Sequence, residues 1–159
     1  MEDRLKKYMT EALKEAELAA SEGDIPVGAV VVWKDQVIGR GRNKRRLHHD
    51  PTAHAEIVAI REAGEFLKSW NLSDCELYVT LEPCPMCAGA IVQSRIRRLV
   101  YGCADPKAGA SGTLYDITSD TRLNHRCETL SGVEENRCKK ILQDFFILCR
   151  SKRTKKSPS

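Results

Sequence analysis

The central motif of this sequence is PCPMC at residues 83–87, which follows HAE at residues 54–56. Cys84 and Cys87 are three positions apart, so their side chains point the same way when they occupy the first turn of a helix. His54 can supply a third ligand, because thiolate sulfur and imidazole nitrogen are the donors that zinc prefers. The motif therefore predicts a zinc site with three protein ligands and a fourth position left open for water.

Glu56 gives this predicted zinc site a catalytic character. Bound zinc lowers the pKa of its water towards neutrality, which makes hydroxide available at physiological pH. A carboxylate that is not itself a ligand can take a proton from that water and deliver it elsewhere. The three ligands and Glu56 together form a complete predicted site for the attack of hydroxide on an sp2 carbon.

The spacing of His54 and Glu56 adds a structural requirement. Residues two apart in the interior of a helix point in different directions. These two side chains can serve one site only if the helix begins at His54 and its N-terminus faces the metal, and the same holds for Cys84. The sequence therefore predicts two helix N-termini that converge on the metal, where their N–H groups and dipoles favour thiolate over thiol.

A single C-x-x-C pair has two other interpretations, a redox pair and one half of a structural zinc site. A structural site needs a fourth protein ligand, and the sequence contains no second C-x-x-C and no His pair at zinc-finger spacing. A redox pair has no need of a His-x-Glu segment upstream. The catalytic zinc site is therefore the favoured interpretation.

Composition and charge are typical of a soluble globular protein. The chain has 159 residues, a net charge of +4 and a pI near 8.7, which suggests one domain and is compatible with a polyanionic partner. Residues 1–7 contain no apolar signal-peptide region, and no apolar run is long enough to span a bilayer. We therefore expect a cytoplasmic protein without membrane contact. Its remaining cysteines are expected to be free thiols: Cys75, Cys103, Cys127, Cys138 and Cys149.

Hydrophobic periodicity predicts helices that alternate with strands. The predicted helices are residues 2–21, 54–66, 84–94 and 133–150, and the predicted strands are residues 29–33, 37–41, 76–80, 98–102 and, more weakly, 126–130. Residues 43–52 are polar and basic and are predicted to form a loop. The pattern indicates a single α/β domain over residues 1–150, followed by a basic, disordered tail at residues 151–159.

The combination H-x-E and P-C-x-x-C is the signature of zinc-dependent deaminases in general. Further segments carry a closer resemblance, and they are IPVGA at 25–29, Asn43, PTAHAE at 51–56, LYVTLEPCPMCAGA at 77–90, SRI at 94–96, DPK at 105–107, GTL at 112–114, LNHR at 123–126 and DFF at 144–146. In these segments the chain resembles the bacterial tRNA-specific adenosine deaminases. The later segments distinguish this family from cytidine deaminases, which share only the zinc core.

This resemblance implies a cytidine-deaminase-like fold, a three-layer α/β/α arrangement with a five-stranded mixed sheet, that works as a homodimer. It implies hydrolytic conversion of adenosine to inosine at the wobble position of a tRNA anticodon, mainly that of arginine tRNA with anticodon ACG. The partner would be the anticodon stem-loop, and the cofactor one zinc ion per subunit without an organic cofactor. Carried over by position, His54, Cys84 and Cys87 would hold zinc, and Glu56 would shuttle protons to the adenine ring nitrogen and the leaving ammonia.

The resemblance also implies contacts to the substrate. Asn43 would hydrogen-bond the flipped nucleotide, the Ala55 backbone N–H would face the base, and Asp105 would lie against the sugar. From the residues alone, Asn43 is equally well an ordinary turn former, and Asp105 before a proline is an ordinary turn opener. Phe146 is a candidate platform for stacking on splayed bases, whereas Phe145 lies at helical spacing with core residues.

Two basic runs, at residues 40–46 and 150–156, could contact RNA phosphates, although such runs are often only solvated surface. The nearest competing function is a deaminase of free nucleobases or nucleosides, such as guanine or cytosine, with the same zinc chemistry. The basic runs argue against it, because a small substrate needs no extended cationic surface. A non-catalytic zinc-containing RNA-binding module is a further alternative, which has no use for Glu56.

Overall fold

The computed structural model describes the backbone of residues 1–156 and the side chains of residues 1–153. Its helices are α1 (Glu2–Ser21), α2 (Arg45–His48), α3 (Ala55–Leu67), α4 (Pro85–Gln93) and α5 (Glu135–Lys156). Its strands are β1 (Gly28–Trp33), β2 (Gln36–Arg42), β3 (Cys75–Leu81), β4 (Arg98–Cys103) and β5 (Glu128–Leu130).

The strands form one five-stranded mixed sheet in the order β2-β1-β3-β4-β5. Strands β1 and β2 form an antiparallel hairpin, with both turn residues, Lys34 and Asp35, at positive φ. Strand β1 also pairs antiparallel with β3, whereas β3, β4 and β5 run parallel to one another. The mixed sheet that the resemblance implied is confirmed.

Helices cover both faces of this sheet. On one face, α1 contributes Tyr8 and Met9 to a core that also contains Val30 of β1 and Cys138 of α5. On the other face, α3 packs with α4 over the alternate strand residues, such as Val31. Every residue of β3 except its last is buried, as expected for a strand covered on both sides. The three-layer α/β/α arrangement is therefore confirmed.

Strand β2 approaches α3 so closely that only glycine fits between them. A side chain added at Gly41 would overlap the carbonyl oxygen of Ala55 and would lie 2.6 Å from the backbone nitrogen of Ala59. Gly39 meets the next turn of the same helix in the same way. The sheet thus fixes the position of α3, which begins directly after His54.

Gly41→Ala is therefore expected to destabilise the protein by about 3 kcal/mol or more, at the upper end of the cost of overpacking, because rigid backbone cannot yield as a side chain can. Urea unfolding monitored by circular dichroism measures the change. Gly89→Ala in α4 is the matched control, since an added Cβ there meets nothing within 4 Å. That control should gain up to about 1 kcal/mol from helix propensity, and equal stability of the two variants would contradict the packing explanation.

The structure differs from the predicted elements in two places. The predicted loop at residues 43–52 contains the short helix α2, which ends at His49 in a left-handed conformation. Helix α5 continues to Lys156 instead of giving way to a disordered tail after residue 150, because basic residues at a helix C-terminus complement its dipole. Leu148 of this helix is 54% exposed. Residues 157–159 of the predicted tail lie outside the described residues.

Candidate active site

Two helix N-termini meet on one side of the sheet, as the spacing of the motif predicted. His54 is the N-cap of α3 and Cys84 is the N-cap of α4, and both residues have extended backbone. Pro85 occupies the first turn of α4, where its missing N–H costs no hydrogen bond. Cys87 lies one turn into α4 and is fully buried. The arrangement brings the three predicted ligand side chains together.

The geometry of these three side chains fits a tetrahedral zinc ion. The Nδ1 atom of His54 lies 3.6 Å from the Sγ atom of Cys84 and 3.5 Å from the Sγ atom of Cys87. Zn–S bonds of ~2.3 Å and Zn–N bonds of ~2.05 Å at the tetrahedral angle place sulfur and nitrogen about 3.6 Å apart. All three donor atoms lie within 4.8 Å of one another, so this group could hold a metal ion.

Hydrogen bonds within the cluster divide the charge unequally between the two cysteines. The hydrogen bond from the Cys87 thiol, supported by one from His54, lowers the pKa of Cys84 to about 4. The same interaction with Cys84, together with burial, raises the pKa of Cys87 well above its usual range. The contact with Cys84 also raises the pKa of His54. The two cysteines therefore differ in acidity, and Cys84 is the one whose thiolate the cluster favours more.

Glu56 lies in the first turn of α3 and is 4% exposed. Burial raises the pKa of its carboxyl to about 7. Together with His54 and Cys84 it lines a cavity of about 160 Å³. A carboxyl with a pKa near neutrality can both accept and donate a proton, which is what a proton shuttle requires.

Asn43 and Ala55 are engaged with each other in this structure. The Asn43 side-chain Oδ1 accepts a hydrogen bond from the Ala55 backbone N–H at 3.1 Å, and its Nδ2 donates to the carbonyl oxygen of Ile25 at 3.0 Å. Asn43 lines the cavity together with His54 and Glu56. The Ala55 N–H, in contrast, is donated to Asn43, so the implied contact of this group with the base requires a rearrangement.

Asp105 also lines the cavity. Its Oδ1 atom accepts hydrogen bonds from the backbone N–H groups of Lys107 and Ala108, at 2.9 and 3.2 Å. These bonds are those of the ordinary turn that the sequence alone suggested. The carboxyl group of Asp105 thus shapes a turn at the wall of the cavity, where the resemblance placed the sugar of the nucleotide.

Phe146 does not line this cavity. It is 45% exposed and lies in a separate groove of about 760 Å³ between α5 and the segment around α2. Lys107 and Arg153 contribute positive charge to the groove. Two residues, Ile25 and Arg45, line both the cavity and the groove, so the two spaces are neighbours. The side chain of Arg45 is held by an ion pair with Asp24 at 3.0 Å.

The first basic run is only partly available to a partner. Arg40 forms an ion pair with Glu11 of α1 at 2.9 Å, and Arg42 forms one with Glu22 at 2.7 Å. These two arginines hold β2 against α1. Within this run, Arg45 and Arg46 are the two that line the groove.

Two buried carboxylates near the site were missed by the sequence reasoning. Asp24 is 2% exposed and accepts hydrogen bonds from Arg45 and from the backbone of Arg46, which fixes α2. Glu82 is also 2% exposed and lines the cavity. The signal for Glu82 was its place between an apolar strand and the cysteine motif, where a charged residue has no route to solvent.

The fold and the geometry of this site agree with the sequence families that the chain matches. Residues 3–150 match the MafB19-like deaminase family. The tRNA-specific adenosine deaminase of Bacillus subtilis is 47% identical over 146 residues, which cover 92% of this chain and 91% of the relative. This chain belongs to the tRNA-specific adenosine deaminase family. The predicted class of enzyme and the implied fold are therefore confirmed.

Solved structures of deaminases share the fold. A structure from studies of A-to-I editing by tRNA:A34 deaminases at the wobble position superposes with a TM-score of 0.83 and 45% identity, and covers 86% of this chain and 99% of that protein. The guanine deaminase of Bacillus subtilis superposes with a TM-score of 0.61 and 38% identity, and covers 67% of this chain and 69% of that protein. Among the described residues of this family member, no helix is long and apolar enough to cross a membrane.

Proposed function

We propose that this chain hydrolyses adenosine to inosine at the wobble position of a tRNA anticodon, mainly that of arginine tRNA with anticodon ACG. The observation that carries the proposal is a His-Cys-Cys cluster with a buried glutamate in a cavity that adjoins a basic, aromatic groove. The 47% identity to a tRNA-specific adenosine deaminase supports it. Residues 1–150 would act as one deaminase domain that works as a homodimer in the cytoplasm, without an organic cofactor.

In this proposal His54, Cys84 and Cys87 hold one zinc ion per subunit. Zinc supplies Lewis acidity, which lowers the pKa of a bound water to about 7. Glu56 accepts one proton of the attacking water and donates it to the adenine ring nitrogen. It then takes the second proton from the hydroxyl group that has been added to the ring carbon and delivers it to the amino group, whose bond to that carbon breaks as ammonia leaves. Burial, which raises the pKa of the Glu56 carboxyl, favours a group that can hold a proton between these transfers.

The groove supports a polynucleotide substrate rather than a free base. A nucleotide in the cavity has neighbours on its strand, and the groove that begins at Ile25 and Arg45 offers them space. Phe146 presents an exposed ring on which a splayed base can stack, and the cations of the groove can contact phosphates. In the cavity itself, Asn43 and Asp105 would contact the nucleotide, and the Ala55 N–H would reach the base once Asn43 turns away.

The alternative function is deamination of free guanine or cytosine. The likeness to a guanine deaminase of known structure supports this alternative. Ammonia release from guanine, cytosine and an anticodon stem-loop, measured side by side with zinc-loaded protein, separates the two functions. Turnover of the stem-loop without turnover of the bases is expected. Turnover of a base without turnover of the stem-loop would assign the site to small substrates. Zinc-loaded protein that binds the stem-loop without any turnover would instead indicate a non-catalytic zinc module.

Phe146→Ala is expected to raise KM for the stem-loop about tenfold, because stacking on an aromatic side chain contributes about 1–3 kcal/mol per base. The measurement is the initial rate of inosine formation as a function of stem-loop concentration. Trp70→Ala is the control, since Trp70 is 70% exposed and lines neither the cavity nor the groove. An unchanged KM for Phe146→Ala would remove this ring from the binding surface.

A further inference from the structure

The carboxylate of Glu82 is the hydrogen-bond centre of one wall of the cavity. Its Oε1 accepts the backbone N–H of Asp105 at 3.1 Å. Its Oε2 accepts the backbone N–H groups of Ser111 and Thr113 at 3.0 and 3.2 Å, and the hydroxyl of Thr113 donates to Oε1. We call residues 104–113 the wall loop. Four donors of this loop therefore converge on one buried carboxylate.

Glu82 connects the wall loop to the helix that carries the cysteines. It lies between Leu81, the last residue of β3, and Pro83, which precedes the N-cap of α4. The carbonyl oxygen of Pro83 accepts a further hydrogen bond from the wall loop, from the N–H of Ala110 at 2.8 Å. The wall loop is thereby attached to the segment that leads directly into the metal cluster.

The charge of Glu82 makes this attachment strong. In the part of the chain that the structure describes, no lysine or arginine lies within ion-pair distance of this carboxylate. A buried charge must be satisfied by hydrogen bonds, and bonds to a charged acceptor are about twice as strong as neutral ones. The four donors therefore supply the stabilisation that solvent would supply to an exposed carboxylate, and the wall loop cannot move away without losing it.

Gly109 shows how tightly the wall loop encloses the carboxylate. A Cβ atom at this position would overlap the Oε1 atom of Glu82 and would lie 2.6 Å from the carbonyl oxygen of Asp105. Glycine is therefore required here by the approach of the backbone to the buried carboxylate. Gly109 and Glu82 offer two independent ways to disturb the same contact.

We infer that Glu82 is a positioning residue for the substrate: its carboxylate fixes the wall loop and so places Asp105 and Ala108 at the cavity. Both of these residues line the cavity together with Glu56. The hydrogen bonds of the Glu82 carboxylate go to the wall loop, so its effect reaches the nucleotide through that loop. The inference rests on the proposed function in that the cavity is taken to hold the wobble nucleotide.

Glu82→Gln replaces one acceptor oxygen by an NH2 group that faces backbone donors. It is expected to raise KM for the stem-loop about ten- to hundredfold, because small displacements of positioning groups have effects of this size. The zinc content should remain one per chain and kcat within about threefold of wild type. Gly109→Ala should reproduce this pattern although it keeps the carboxylate. Glu65→Gln, at an exposed position of α3, is the control and should leave KM unchanged.

Amide hydrogen exchange of the wall loop provides a readout that does not depend on activity. The amides of Asp105, Ser111 and Thr113 should exchange at least about tenfold faster in Glu82→Gln than in wild type, since each loses a protecting acceptor. Unchanged exchange and unchanged KM would overturn the inference. Loss of zinc or of kcat at unchanged KM would also overturn it, because Glu82 would then act on the metal cluster. Wild-type protein that leaves the stem-loop unmodified would refute the proposed function, while the exchange rates would still decide whether Glu82 holds the loop.

Discussion

Glu56→Gln is expected to lower kcat by about 10²–10⁴-fold, the usual contribution of general acid–base catalysis, while the fold and the zinc content remain those of wild type. The amide has nearly the shape of the carboxyl group and fits the same buried position, but it cannot carry a proton. Glu56 lies in the first turn of α3, two residues after His54, and lines the cavity beside His54 and Cys84. Single-turnover inosine formation measures the loss of catalysis, and zinc analysis measures the metal content.

The control for this variant is Glu15→Gln. Glu15 is another buried carboxylate, 7% exposed, and it lies on α1 in an ion pair with Arg42, away from the cavity. Its replacement should cost stability without changing kcat. Full turnover by Glu56→Gln would show that the proton moves by another route, and equal losses in the two variants would show that the loss reflects buried charge in general.

Cys87→Ala is expected to abolish stoichiometric zinc and to lower the apparent free energy of unfolding by about 4 kcal/mol or more. A ligand present at a thousand times its dissociation constant stabilises the native state by about that amount, and the variant loses this contribution. The two remaining side chains, His54 and Cys84, leave the site with too few ligands to hold the ion. Metal analysis and thermal unfolding, with and without a chelator, measure the two effects.

Cys75→Ala is the matched control for the metal ligand. Cys75 is as fully buried as Cys87, but it packs in the apolar core. Its replacement should cost about 1 kcal/mol in lost packing and leave one zinc per chain. Stoichiometric zinc in Cys87→Ala would contradict the assignment of this residue as a ligand.

The metal cluster could be predicted from sequence because spacing alone places each ligand at a helix start, while the meeting of His54 with cysteines 30 and 33 positions later follows from the H-x-E and P-C-x-x-C signature. The two-residue spacing of His54 and Glu56 is compatible with one site only at a helix start, and the structure places His54 at an N-cap. Cys84 also lies at an N-cap, and the proline after it marks the first residue of the helix. The strands of the sheet could also be predicted from sequence, since they are short apolar runs bounded by turns.

The surroundings of the cluster could not be predicted, because they depend on contacts between residues that are distant in sequence. The wall loop is held by a carboxylate that lies 23 to 31 positions before its partners. Asn43 is bonded to Ala55 across 12 positions, which no periodicity reveals. Helix α2 has four residues, too few for a hydrophobic pattern, and it is fixed mainly by Asp24. The end of α5 was missed because charged residues are typical of both disordered tails and helix C-termini.

The most direct test of the proposed function is inosine formation in an anticodon stem-loop with adenosine at the wobble position. Zinc-loaded protein is incubated with this stem-loop and with a matched one whose adenosine is moved by one position in the loop, beside free adenosine. Position-specific conversion of the first stem-loop alone is the expected result. Equal conversion of both stem-loops, or conversion of free adenosine with both stem-loops untouched, would contradict the assignment of the cavity and the groove to one anticodon nucleotide and its neighbours.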